Sequence, residues 1–141
     1  MPSITDRQNE IRDEFAFFED WQEKYAHIIE LGRELPKMDP GYKDEAHKVK
    51  GCQSQVWLHA DLTGEGTLAL QAESDALIVQ GLIAILLRIY QGQPPEDVLK
   101  TDLTFLEDVG LLSHLSMNRT NGLNSMIKTI RANAAAFAAQ K

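Results

Sequence analysis

Residues 55–72 of the chain read QVWLHADLTGEGTLALQA, and apolar side chains alternate with polar ones on both sides of a glycine-containing centre. A period of two places one set of side chains on a single face, as in a strand that is half buried against a core. The segment Thr63-Gly64-Glu65-Gly66 supplies the glycines that a tight connection needs. The pattern therefore predicts two strands paired as an antiparallel hairpin, to which residues 46–49 could add a short third strand.

Upstream of the hairpin the apolar period changes to that of a helix. Eight apolar residues recur at spacings of three and four, namely Ile11, Phe15, Phe18, Trp21, Tyr25, Ile28, Leu31 and Leu35. Residues 5–8 fit a capping box, Asp20 offers a second N-cap within the pattern, and Pro36 ends it. Two consecutive helices are therefore predicted.

Downstream of the hairpin three further helices are predicted. Ser74-Asp75 resembles an N-cap before a largely apolar helix that ends near Tyr90, a short acidic helix follows at residues 96–100, and residues 121–141 form an amphipathic helix. Helices, a small antiparallel sheet and more helices predict an α+β fold, in which the sheet packs against several α-helices. We expect one domain spanning residues 1–141.

Composition argues against two classes of partner. The chain of 141 residues has a formal net charge of −7, with 21 acidic and 14 basic side chains. Nucleic acid and anionic lipid both favour positive surfaces, so we expect neither as a partner. The apolar run 75–90 carries Arg88 and is shorter than the roughly 20 residues of a membrane span. The N-terminus lacks the features of a secretory signal, and we expect a cytoplasmic location.

Several kinds of site have no support in the sequence. There is no Cys-x-x-Cys, no P-loop and no Gly-x-Gly-x-x-Gly, and the four histidines lack the paired spacing of zinc sites. An iron–sulfur cluster normally needs about four ligands that are mostly cysteine, whereas this chain has one. We therefore expect no metal site and no cofactor of its own.

That single cysteine, Cys52, has a distinctive setting. Gly51 removes a side chain beside the sulfur, so that a loop of another protein could approach, and Lys48 and Lys50 could favour the thiolate. A small buried hydrophobe is the commoner role for a lone cysteine, but a reactive thiol fits this environment better. A hydrolase would also need a positioned histidine, and only His47 is close in sequence.

The residues around Cys52 resemble the signature of a known family. The run Val49-x-Gly51-Cys52-x-Ser54-x-Val56-Trp57 resembles that of the SufE-like sulfur acceptors, which are partners of cysteine desulfurases in iron–sulfur cluster assembly. The resemblance extends to residues 31–36, 74–84 and 119–123, whereas Met117-Asn118 differs from the proline-containing versions of that loop. It implies a SufE-like fold.

The resemblance also implies a function. A pyridoxal-phosphate-dependent cysteine desulfurase, of the SufS-like or CsdA-like type, would hold sulfur as a persulfide, and Cys52 would accept it, stimulate the desulfurase and pass the sulfur to an iron–sulfur scaffold. The chain would then be a sulfur-transfer carrier with a nucleophilic cysteine and not a stand-alone enzyme. Arg119 could contact the cysteine loop or steady a persulfide anion, or it could serve only as a solvated or capping residue.

Two other functions remain open at this point. A noncatalytic allosteric regulator would bind a desulfurase through the loop that holds Cys52, without accepting sulfur. A thiol redox sensor would use the same cysteine through a sulfenic acid or a mixed disulfide.

Overall fold

A computed structural model describes residues 3–52, 54–101, 106, 110 and 115–140. In chain order the elements are α1 (Ile4–Ala16), α2 (Trp21–Glu34), β1 (Val56–Leu62), β2 (Leu68–Ser74), α3 (Leu77–Tyr90), α4 (Pro95–Lys100) and α5 (Met117–Ala139). Two short 3₁₀ turns, Pro40–Tyr42 and Glu45–His47, lie between α2 and β1. The predicted α+β fold is confirmed, whereas the assignment of residues 1–141 to one domain stays a prediction.

Two consecutive N-terminal helices are present, as predicted. The cap of α1 lies two residues before the predicted one, because the Ser3 hydroxyl accepts a hydrogen bond from the Asp6 amide and the Asp6 carboxylate accepts one from the Ser3 amide, both at 3.1 Å. The prediction for α2 is confirmed, since the Asp20 carboxylate accepts from the Glu23 amide at 2.8 Å. Side-chain capping therefore separates the amphipathic pattern into two helices.

The hairpin has the predicted antiparallel pairing, with a register that runs from Val56 opposite Ser74 to Leu62 opposite Leu68. The predicted third strand is wrong. The Asp44 carboxylate accepts the His47 amide at 3.1 Å and folds residues 45–47 into a 3₁₀ turn. In the part of the chain that the structure describes, only the isolated bridge between Lys48 and Trp57 extends the sheet.

Helix α3 forms the centre of the core, with ten of its 14 residues buried. It begins at Leu77, so the predicted N-cap at Ser74-Asp75 is wrong: Ser74 ends β2, and the Asp75 carboxylate accepts the Gln55 amide at 3.0 Å. A Cβ on Gly81 would collide with the carbonyl of Ile28. The absence of that atom lets α2 pack directly against α3.

A group of rings covers the polar face of β1. Tyr42 stacks on His59 with 3.7 Å between ring centroids, and His59 Nδ1 lies 3.0 Å from His47 Nε2. The outer nitrogens are also engaged, because His47 Nδ1 is 2.7 Å from an Asp44 oxygen and His59 Nε2 is 2.9 Å from an Asp61 oxygen. This histidine cluster (Tyr42, Asp44, His47, His59 and Asp61) attaches both 3₁₀ turns to the sheet.

Helix α5 closes the core on the side of the cysteine loop. It begins at Met117, four residues before the predicted start, and the Ser116 hydroxyl caps it by accepting the Arg119 amide at 3.3 Å. Its predicted apolar face consists of Leu123, Met126, Ile127, Ile130, Ala134 and Phe137. The first five are buried, and Phe137 is partly buried against the core. None of the described helices combines the length and hydropathy that crossing a membrane requires.

Candidate functional site

The loop that holds Cys52 leads from the second 3₁₀ turn into β1. It is closed at its base by the Val49 amide, which donates to the Val56 carbonyl at 2.8 Å. Gly51 has a φ of +90°, a conformation that L-residues with a Cβ rarely adopt. A Cβ at this position would also lie 2.6 Å from the Ser125 hydroxyl. Glycine is therefore required both for the turn and for the close approach of the loop to α5.

The Cys52 thiol is directed at the backbone of α5. Its Sγ lies 3.6 Å from the Gly122 carbonyl oxygen and donates a hydrogen bond to it. The side chain is half buried, and this burial raises the pKa of the Cys52 thiol above its ordinary value. Burial therefore favours the protonated thiol in this conformation, whereas the effect of Lys48 and Lys50 on the thiolate stays a prediction.

A cavity of about 440 Å³ adjoins the thiol. It lies between the loop, the start of α3 and the first turns of α5, and its lining is Cys52, Ser54, Ala76, Val79, Leu82, Ser116, Arg119, Gly122, Leu123 and Met126. Apart from the thiol itself, Arg119 is the only ionisable member of this set. The thiol therefore faces a cleft that is mostly apolar, in which the polar members of the described lining are Ser54, Ser116 and Arg119.

Of the two supporting residues singled out in the sequence, Gly51 is the chain neighbour of Cys52, and Arg119 lines the same cavity as the thiol. The sequence placed Arg119 before the last helix, but it lies in the first turn of α5, where its exposed side chain contributes to the cavity wall. Gly122 was missed as a residue in contact with the thiol. The only signal for Gly122 in the sequence is that it lies in segment 119–123, which resembles the SufE-like family. No local pattern relates Gly122 to a cysteine 70 residues earlier.

The histidine considered for a hydrolase does not pair with the thiol. Both ring nitrogens of His47 are engaged in the histidine cluster, by Asp44 and His59. His114 lies outside the described residues. Within the described ranges, no three His, Cys, Asp or Glu side chains are placed to hold a metal ion.

Trp57 also lies away from the thiol, on the polar face of the hairpin. The Lys43 ammonium group is 5.0 Å from the centre of its ring and forms an ion pair with Glu73 at 2.6 Å. Glu73 is opposite Trp57 in the strand register. The Trp57 ring therefore covers the polar face of the hairpin, next to the Lys43–Glu73 ion pair.

The geometry thus defines a class of protein: an α+β fold in which one half-buried thiol adjoins a largely apolar cavity. The family model described as "SufE: Fe-S metabolism associated domain" matches residues 9–134. A protein of Rhizobium meliloti (strain 1021), described as an uncharacterized SufE-like protein, is 42% identical over 130 residues, which cover 89% of this chain and 93% of that protein. The chain belongs to the SufE family.

The fold is also found in a solved structure. The solution structure of a hypothetical protein from Thermus thermophilus superimposes with a TM-score of 0.78 at 22% identity, covering 94% of this chain and 96% of that one. At this level of identity the likeness concerns the fold alone. Family membership assigns the chain to iron–sulfur metabolism, with a cysteine desulfurase as the class of partner.

Proposed function

We propose that Cys52 is the persulfide carrier of a sulfur acceptor, which takes sulfur from a pyridoxal-phosphate-dependent cysteine desulfurase and delivers it to an iron–sulfur scaffold. The observation that carries the proposal is the position of the chain's single thiol in the wall of a mostly apolar cavity. The cavity volume of about 440 Å³ is more than ten times the ~30 Å³ that one water molecule occupies in the liquid, so an added sulfur atom has room.

The reaction is an exchange between sulfur atoms. The Cys52 thiolate attacks the outer sulfur of the donor's cysteine persulfide, and a new S–S bond forms on Cys52. The S–S bond of the donor breaks, and its cysteine leaves as a thiolate that can take up the proton released by Cys52. One S–S bond is made and one is broken, so no external oxidant or reductant is needed.

A single thiol suits a carrier of this kind. A second cysteine nearby could attack the Cys52 persulfide, form a disulfide and release the sulfur as sulfide. The chain has no other cysteine. Among the described residues of the cavity lining, Arg119 is the one cation, and its guanidinium group is suited to steady the persulfide anion.

The sheltered thiol has to reach the donor's active site. In the described conformation the protonated form is favoured, which limits side reactions while the protein is free. We expect the loop to swing outward when the desulfurase docks, with Gly51 as the residue that absorbs the change of backbone angle. Equal rates of Cys52 alkylation with and without the desulfurase would contradict this movement.

The direct test is to measure sulfur on the protein. The chain is incubated with a purified SufS-type or CsdA-type desulfurase and free cysteine, without reductant, and is weighed intact by mass spectrometry beside a Cys52→Ser control. A carrier gains the mass of a sulfur atom in the wild type alone. Absence of that gain with active desulfurases of both types would refute the proposal.

The same preparations separate the carrier from a regulator. A carrier loses its stimulation of desulfurase turnover when Cys52 is replaced by alanine, because the donor persulfide is no longer discharged. A noncatalytic regulator would keep that stimulation. Oxidation of Cys52 by modest doses of peroxide, with no desulfurase present, would instead indicate a redox sensor.

A further inference from the structure

A shallow depression of about 530 Å³ adjoins the cysteine loop beside the cavity of the thiol. Its lining includes Glu45, Lys48, Lys50, Ser125, Lys128 and Thr129. The two spaces share the turn at Gly51-Cys52, since Gly51 packs against Ser125 while Cys52 packs against Gly122, three residues earlier on α5. Any surface that covers this depression therefore also lies against the loop that presents the thiol.

The charge of this depression is opposite to that of the whole chain. Three lysines and one carboxylate line it, in a protein whose net charge is −7. Lys48 Nζ is 3.8 Å from the Glu45 carboxylate, which is 92% exposed, and pairs of this kind contribute little. Among the described residues, neither Lys50 nor Lys128 has an ion-pair partner, and both are exposed. The local positive charge is thus left uncompensated within the described chain.

We propose that this basic depression (Lys48, Lys50 and Lys128) is the docking surface for an acidic segment of the sulfur-donating desulfurase. The inference rests on the proposed function and adds the chemistry by which the partner is recognised. A negative partner surface is repelled by most of this acidic chain and attracted where the lysines lie. Long-range attraction would therefore orient the encounter so that the Cys52 loop faces the donor.

A protein surface fits this site better than a polyanion. Nucleic acid is held by the neutralisation of several phosphates at once, and affinity falls steeply as fewer contacts are made. Three lysines on a chain with a net charge of −7 provide little of that attraction. A short acidic segment needs only a few opposite charges, and its binding at this position also covers the thiol loop.

The test is a pair of charge reversals, Lys50→Glu with Lys128→Glu, beside the neutral pair Lys50→Gln with Lys128→Gln. Lys48 is left intact because its side chain lies 3.8 Å from the Glu45 carboxylate, which a reversed charge would repel. The control is Lys37→Glu with Lys100→Glu, which makes the same change of net charge at two exposed positions outside the depression. Thermal unfolding of each variant verifies that it folds.

Two quantities are measured with a purified SufS-type or CsdA-type desulfurase at low and high salt: the association rate without cysteine, and the rate of sulfur gain on Cys52 with cysteine. At low salt, we expect the reversed pair to lower both rates roughly tenfold, the neutral pair to lower them less, and high salt to remove the difference. The control pair should stay within about twofold of the wild type.

The inference fails if the reversed pair associates at the wild-type rate at low salt, or if the control pair slows association equally. It also fails if the reversed pair loses binding to an oligonucleotide or to anionic vesicles but keeps its binding to the desulfurase. Failure of the proposed function has a different signature, in which the wild type gains no sulfur. The association rates, measured without cysteine, then still decide whether the depression is a docking surface.

Discussion

The sulfur of Cys52 lies 3.6 Å from the carbonyl oxygen of Gly122 and donates a hydrogen bond to it. A helix thus approaches the thiol through its backbone, because Gly122 has no side chain to intervene. This contact joins the cysteine loop to α5, and the reactivity of the thiol therefore depends on a residue that is remote in the sequence.

Gly122→Ala should slow the alkylation of Cys52 without destabilising the fold. The added Cβ would lie 3.4 Å from Sγ, at the short limit of ordinary van der Waals contact, and alanine is favoured over glycine in a helix by about 1 kcal/mol. The methyl group covers one side of the sulfur, so we expect iodoacetamide to react roughly threefold more slowly. Gly64→Ala is the control, since its Cβ would meet nothing within 4 Å. Equal alkylation rates in the wild type and the Gly122→Ala variant would contradict this.

The alkylation of Cys52 should have a half-maximal rate at a higher pH in the folded chain than in the unfolded one. Burial raises the pKa of the folded thiol, whereas the unfolded thiol ionises at about 8.5. Iodoacetamide rates are measured across the alkaline range for the native chain and for the chain in urea, and Cys52 is the only cysteine to react. A native midpoint at or below the unfolded one would show that a positive charge acts on the thiol after all.

Glu14→Gln should lower stability at neutral pH and have little effect in acid. Burial raises the pKa of Glu14, but hydrogen bonds from Arg88 at 2.6 Å and from His27 at 2.5 Å outweigh it, so that the net pKa is lowered. A lowered folded pKa stabilises the protein above the unfolded pKa, and this stabilisation is lost as pH falls through the folded value.

Urea unfolding of the wild type and of Glu14→Gln measures this contribution. We expect a difference in the free energy of unfolding of about 1 kcal/mol at pH 7, which shrinks as the pH falls below about 4.3. Glu19→Gln, at an exposed position between α1 and α2, is the control for the removal of one carboxylate. A difference for Glu14→Gln that persists unchanged into acid would indicate lost packing instead of lost charge.

His59→Ala should loosen the segment that precedes the cysteine loop. The substitution removes the ring that stacks on Tyr42 and the nitrogen that faces His47, and we expect a loss of about 1 kcal/mol in stability. Amide hydrogen exchange should quicken at residues 44–49 and stay unchanged in α3. Glu65→Ala, at the exposed tip of the same hairpin, serves as the control. Uniformly faster exchange in both regions would mean that the cluster supports the whole fold.

The hairpin and the N-terminal helices were predictable because their signals are local. The alternation of residues 55–72 and the cap at Asp20 each depend on residues that are close to one another in the sequence. The third strand was wrongly predicted because a hydrogen bond from the His47 amide to the Asp44 carboxylate favours a 3₁₀ turn over the strand. The competition between strand and 3₁₀ turn depends on which carboxylate accepts a hydrogen bond from which amide. The alternation of apolar and polar residues does not reveal this pairing.

The candidate site was predictable only in part. Cys52 and its glycine stand out in the sequence, and the family resemblance included Arg119. The cavity wall could not be foreseen, since Ala76 and Val79 are brought to the thiol by the packing of α3, and Gly122 by the packing of α5. Lys48 and Lys50 line the neighbouring depression and are not among the described lining residues of the thiol cavity, because closeness in sequence does not determine on which side of a turn a side chain lies.

The helix that packs against the Cys52 thiol, α5, is synthesised long after Cys52 itself. Gly122 follows Cys52 by 70 residues, which at ~5–20 residues per second corresponds to roughly 4–14 s of translation. During that interval the nascent chain carries a cysteine without the helix that shelters it. A chain truncated before Met117 would keep this thiol uncovered permanently, exposed to oxidants and to foreign disulfides.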